Sequence, residues 1–200
     1  KSGLLVPVYG SSNNLGSWVN IPYYKVINEE KDITFNPRIY ADDKFILQSE
    51  YRQAYEKSNF VSDFSVNNDG KNTNTHIFAK IDGNLNSKTE FDFKFQDVSN
   101  DNYLKIHSLS NSSHLIENES LLTTQLNISK TIDVDTQLDT NFTVYEDLSK
   151  RESDRFQYIL PNFTLTKNLT IPDNYNGNFK FISSGFQKNY DTNKYESLLI

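Results

Sequence analysis

Apolar and polar residues alternate along most of this chain. Residues 89–96 read Thr-Glu-Phe-Asp-Phe-Lys-Phe-Gln. In an extended strand Phe91, Phe93 and Phe95 point one way and Glu90, Asp92, Lys94 and Gln96 the other. A helix would scatter the three phenylalanines around its surface. The longest alternation runs from Ile132 to Val144. Ile132, Val134, Thr136, Leu138, Thr140, Phe142 and Val144 share one face, and Asp133, Asp135, Gln137, Asp139 and Asn141 share the other. Read as one strand, this run exceeds the usual globular strand of about five or six residues.

The same period recurs. Phe60, Ser62, Phe64 and Val66 alternate before Asn67-Asn68-Asp69-Gly70, and Ile77, Ala79 and Ile81 before Asp82-Gly83-Asn84. Leu122, Thr124, Leu126 and Ile128 lead into the long run, and Phe163/Leu165 and Phe179/Phe181 continue the pattern. Asp-Gly and Asn-rich steps between such segments are hairpin signals. Asn occurs 25 times against Gly 7 and Pro 5, so Asn and Asp are expected at the turns. No stretch carries a long helical stripe. The fold class predicted is all-β, an antiparallel meander of about nine or ten long amphipathic strands. It forms one domain over 1–200 without an internal boundary.

The apolar face meets either a protein core or lipid. A membrane-spanning strand needs about 9–11 residues, apolar outside and polar inside. Ile132–Val144 and Phe45–Tyr55 suit that length. The mean hydropathy of −0.64 suits it too, since only half of each strand is apolar. A soluble sandwich or solenoid also alternates, with shorter strands, and the pattern alone leaves both readings open. No run approaches the length of a transmembrane helix. The chain opens on Lys1 and stops at Ile200 without a turn, and is read as a piece of a longer protein.

Candidate chemistry is sparse. With Cys 0 there is no disulfide or thiolate. A formal charge of −6 argues against a nucleic-acid partner. His76, His107 and His114 have no metal-ligand spacing and are read as solvent-exposed polar residues. Acidic pairs such as Asp133/Asp135 are read as a solvated strand face rather than glycosidase carboxylates. Six Asn-x-Ser/Thr sequons, at Asn111, Asn118, Asn127, Asn141, Asn162 and Asn168, are treated as products of composition. No catalytic residue, metal site or cofactor is expected, and the chain is not read as an enzyme.

The first hairpin has more to say. Pro7 and Pro22 flank Asn13-Asn14-Leu15-Gly16. A turn on that tetrad places the two prolines opposite each other. Proline gives no N–H to a ladder and is normally confined to edges or bulges. The pair reads either as an edge strand blunted against aggregation or as a seam built to open.

At these residues the chain resembles the start of the barrel in the LptD (OstA) family of outer-membrane lipopolysaccharide-assembly proteins of Gram-negative bacteria. The resemblance lies in Lys1-Ser2-Gly3-Leu4-Leu5-Val6-Pro7, Tyr9-Gly10-Ser11-Ser12 and Ile21-Pro22-Tyr23-Tyr24. It continues in order through Ile33-Thr34-Phe35-Asn36-Pro37-Arg38-Ile39-Tyr40 and Gln48-Ser49-Glu50-Tyr51-Arg52, where Ser49 stands for the family's Gly. Val98-Ser99-Asn100-Asp101-Asn102-Tyr103 and Leu160-Pro161-Asn162-Phe163 complete it. Each motif is short; their order across most of the chain makes the match specific.

The resemblance implies an incomplete transmembrane β-barrel in the outer membrane. It implies that lipopolysaccharide sugar passes through the lumen and lipid leaves through a lateral gate near Pro7 and Pro22. Phe91, Phe93, Phe95, Ile132, Val134, Leu138 and Phe142 would then face lipid. Glu90, Asp92, Lys94, Asp133, Asp135, Gln137 and Asp139 would face the lumen. The implied partners are lipopolysaccharide, an LptE-like plug lipoprotein, outer-membrane lipids, and the periplasmic Lpt bridge through an N-terminal domain outside this chain. The rival readings are another outer-membrane barrel, such as a porin or receptor, and a soluble β-sandwich binding module.

Overall fold

Alternating residues build one antiparallel sheet in the computed structural model. It describes residues 1–12, 15–41, 44–68, 72–151, 154–172, 177–190 and 197–199. The strands are β1 (Gly3–Leu4), β2 (Val8–Ser12), β3 (Gly16–Asn20), β4 (Tyr23–Asn28), β5 (Lys31–Tyr40), β6 (Phe45–Ala54) and β7 (Ser58–Asn68). They continue as β8 (Thr73–Asn86), β9 (Thr89–Val98), β10 (Leu121–Asp133), β11 (Thr136–Asp147), β12 (Phe156–Leu169), β13 (Phe179–Tyr190) and β14 (Ser197–Leu199). A short helix α1 (Tyr103–His107) and a 3-10 turn (Leu109–Ser112) interrupt the meander between β9 and β10. Hydrogen-bonded neighbours follow sequence order from β4 to β14, β1 lies beside β4, and β2 pairs β3, which also pairs β5. The fold is all-β, and among the described residues no pairing closes the sheet, as expected of an incomplete barrel.

Asn and Asp take turn positions, as the composition suggested. Asn28 Oδ1 accepts from Glu30 N at 3.0 Å, Asn86 Oδ1 from Lys88 N at 2.9 Å and Asp133 Oδ1 from Asp135 N at 2.9 Å. A side-chain carbonyl or carboxylate oxygen that bonds the backbone two residues on imitates a tight turn without glycine.

Two turn expectations are corrected by these contacts. Asp82-Gly83-Asn84 lies inside β8, and the chain reverses after Asn86. The run Ile132–Val144 is two strands rather than one. It crosses the β10–β11 turn at Val134 and Asp135, where Val134 is 97% exposed. The pattern hid this turn because even-numbered residues stay on the apolar side of both strands. Leu126 faces Phe93 across β9/β10, and Leu138 faces Leu165 across β11/β12. The expected turns at Asn13-Asn14 and Asp69-Gly70 rest on residues outside those described.

The chain falls into two compact units, 1–81 with 95–122, and 82–94 with 123–200. In the first, β5 to β8 present apolar residues on one face. Ile39, Phe45, Phe64 and Ile77 remain 39–51% exposed there. The opposite face is polar, and residues 99–120 cover part of it. Tyr40, Ile46 and Phe78 of the sheet are buried, as are Tyr103, Leu104, Leu109 and Ile116 of the covering segment. In the second unit Phe93, Phe163, Phe179 and Phe181 stay exposed on the apolar side. Large exposed apolar patches mark membrane or partner contacts.

Val134→Asp is expected to leave stability unchanged within about 0.5 kcal/mol, since the turn exposes it on every side. Leu104→Ala removes a fully buried side chain and should loosen the covering segment by about 2–5 kcal/mol. Denaturant unfolding of the full-length protein in detergent, with hydrogen exchange across 103–112, measures both.

Candidate functional site

The first candidate is the hairpin carrying Pro7 and Pro22. Across β2/β3, Val8 faces Asn20 and Ser11 faces Ser17. Across β1/β4, Gly3 faces Tyr24 and Leu4 faces Tyr23. The register slips by one residue between these ladders, so the prolines do not face each other. Leu5 sits across from Pro22 instead and donates its N–H to the Pro22 carbonyl at 2.8 Å. Residues 5–7 and 21–22 lie outside strand pairing. Neither proline has an N–H to give, and the ladder breaks where both occur.

The second candidate is the polar face of β9 to β12. Lys94 faces Gln125, Asp92 faces Asn127 and Glu90 faces Ser129. Asn127 donates to Asp92 Oδ1 at 3.2 Å, Asn141 donates to Asn127, and Gln137 donates to Ser129 at 3.1 Å and Asp139 at 3.0 Å. Glu90, Asp92, Lys94, Gln137 and Asp139 therefore share one polar ladder. Glu90 and Asp92 also line a cavity of about 470 Å³ with Asp82, Asn127 and Ser129. Asp133 and Asp135 lie apart from the ladder at the β10–β11 turn. The Asp135 amide holds the Asp133 carboxyl below its usual range, helped by the Thr136 hydroxyl. Phe142 falls where the β11/β12 register shifts. Among the described residues no cluster of three His, Cys, Asp or Glu is placed to hold a metal ion.

The third candidate was not legible in the sequence. His76 and His107, read as exposed, are 1% and 7% exposed; only His114 is on the surface. His76 Nε2 lies 2.8 Å from Asp63 Oδ1, and its Nδ1 lies 2.6 Å from Ser65 Oγ. Gln48 donates to both Asp63 oxygens at 3.0 and 3.1 Å. Tyr103 OH of the covering segment reaches Ser65 Oγ at 2.8 Å, and Ser112 Oγ donates to Gln48. A carboxylate only accepts, so in this pair the imidazole Nε2–H is the donor to Asp63. Asp63, His76 and Ser65 have the composition of a hydrolytic triad. Ser65 Oγ is already bonded to His76 and Tyr103 and is sealed beneath the segment, so the network's work is anchoring.

A second anchor lies alongside. Arg38 Nη1 donates to the His107 carbonyl, and Tyr40 OH lies 3.0 Å from His107 Nδ1. The Arg38 guanidinium sits 4.5 Å from the centre of the Trp18 ring. Burial pushes the His107 imidazole down to about 4, with the cations Arg38 and Lys44 adding to it. Burial also pushes the Tyr103 hydroxyl up to about 12. The alternation offered one signal for these burials, since His76 shares its face with Phe78.

His107 binds its proton more weakly folded than unfolded. Its full contribution is therefore present above about pH 6.5 and is lost as the pH falls toward about 4. The segment is expected to loosen across that window. Trp18 emission in a variant retaining it as sole tryptophan should report the change through Arg38, and His107→Gln should abolish the transition.

No family model matches the chain. Its sequence is similar to three proteins named LPS-assembly protein LptD. The protein of Idiomarina loihiensis is 29% identical over 109 residues, 52% of this chain and 14% of its own length. That of Thiobacillus denitrificans is 28% identical over 131 residues, 62% of this chain and 18% of its own. That of Ralstonia nicotianae is 38% identical over 61 residues, 30% of this chain and 8% of its own. The chain thus spans less than a fifth of these relatives, and it is distantly related to LptD.

Proposed function

We propose that this chain is the first part of an outer-membrane β-barrel that inserts lipopolysaccharide into the outer leaflet. The observation that carries the reading is the similarity to three LPS-assembly proteins. The two-faced sheet supports it. An exposed apolar face suits lipid, and a ladder of carboxylates and amides suits a wet lumen. Among the described residues no helix is long and apolar enough to cross a membrane, so strands would do the crossing. Residues 1–200 form one partial barrel domain in this reading. Glu90, Asp92, Lys94, Gln137 and Asp139 face the passing sugar, with Asp133 and Asp135 at the rim. The partners are lipopolysaccharide, an LptE-like plug lipoprotein and, through a preceding domain, the periplasmic bridge.

The mechanism is transport rather than bond making. A sugar head group needs a hydrated path and acyl chains need an apolar one. Opening the wall at its weakest ladder serves both. The break at Pro7 and Pro22 lowers the number of backbone bonds that opening costs, and the one-residue register slip adds to that. Lipid then leaves sideways while sugar stays in the lumen.

Substituting Pro7 and Pro22 together by Ala is expected to restore ladder donors, strengthen the seam and slow lipopolysaccharide delivery to the cell surface. Delivery at the wild-type rate in cells carrying the double variant counts against the gate. Leu138→Arg places a charge on the apolar face and should cost about 2–4 kcal/mol of barrel stability in the bilayer. Unfolding from lipid vesicles measures it, and wild-type stability would argue that Leu138 does not face lipid.

A further inference from the structure

We propose that the first hairpin and the covering segment are mechanically coupled through Trp18 and Arg38, so that the position of β2 sets how firmly the segment is held. The meaning of this coupling for transport rests on the lateral-gate reading; the coupling itself does not.

Gly10 of β2 lies directly against Trp18. A Cβ there would sit 2.6 Å from Cζ2 and 2.9 Å from Cε2 of the indole. Only glycine lets the β2 backbone rest on that ring. The same ring carries the Arg38 guanidinium, whose N–H fork stays free to bond in its own plane. That fork donates to the His107 carbonyl at the end of α1. Tyr40, the register partner of Trp18, holds the His107 ring. β2, β3, β5 and α1 thus meet in one stack.

The coupling is read through displacement of β2. Among the described residues β2 pairs with β3 alone, and it begins just beyond the break at Pro7. When β2 swings away, Trp18 loses its support, Arg38 loses its flat partner, and His107 loses the held guanidinium. Coupling between two sites is reciprocal. Displacing the segment must therefore loosen β2, and a cargo that lifts the segment would prime the hairpin to open.

Hydrogen exchange with mass spectrometry on the full-length protein in detergent tests this without any lipopolysaccharide. Its outcome is therefore independent of whether the chain handles that lipid. Gly10→Ala is expected to speed exchange across 103–112 by at least about fivefold, with β6 and β7 unchanged. Gly3→Ala is the control, because nothing lies within 4 Å of a Cβ there, and it should change nothing. Trp18→Phe serves if Gly10→Ala does not fold, and should act in the same direction. Tyr103→Phe, which loosens the segment away from Trp18, should speed exchange across 8–12. The proposal is overturned if the folded Gly10→Ala or Trp18→Phe protein leaves 103–112 at the wild-type rate. It is equally overturned if Tyr103→Phe loosens 103–112 while 8–12 stays protected.

Discussion

Each inner strand here pairs its backbone along two edges while its two faces meet different surroundings. That single constraint organises the molecule. A side-chain period of two sends Phe91, Phe93 and Leu126 one way and Asp92, Lys94 and Asn127 the other. A one-residue slip would turn a whole strand inside out, so register is firmly specified wherever the faces differ. Register shifts inside β4/β5, β11/β12 and β12/β13, and the one-residue slip between β1/β4 and β2/β3 falls where two prolines remove ladder donors.

The polar face is handled differently in the two units. In 82–94 with 123–200, amides and carboxylates bond to one another along the ladder, as Asn141, Asn127 and Asp92 do. In 1–81 with 95–122, the segment 99–120 lies on the polar face and takes it out of water. Burying Asp63, His76 and Gln48 is tolerable only because each finds partners. The result is a small mixed core, part apolar and part polar, in which Tyr103 and His107 tie a helix to β5, β7 and β8. Its polar bonds are directional, so they fix the position of the segment more tightly than apolar packing would. The same directionality makes the attachment responsive to small shifts at Trp18 and Arg38.

Much of this was legible along the chain. The alternation over 89–96 is β9 and that over Phe45–Tyr55 is β6; Asn does take turn positions, but at Asn28 and Asn86, which the pattern had not singled out. The turn at Val134 was missed because Asp-Val-Asp carries no Gly or Pro and even numbers keep the apolar side on both strands. The proline register was misjudged because a slip of one residue is invisible when the ladder is inferred from a single turn.

The sequence by itself determined the strands, their two faces and the all-β class, because those follow from side-chain period and local turn chemistry. Only the tertiary structure decided which polar residues are buried. His76 and His107 sit among polar neighbours that read the same whether water or a folded-back segment covers them. The contact that settles it joins Arg38 to His107 across 69 residues of chain. No local pattern encodes a meeting at that distance, and it forms only when the whole sheet presents its polar face to the segment.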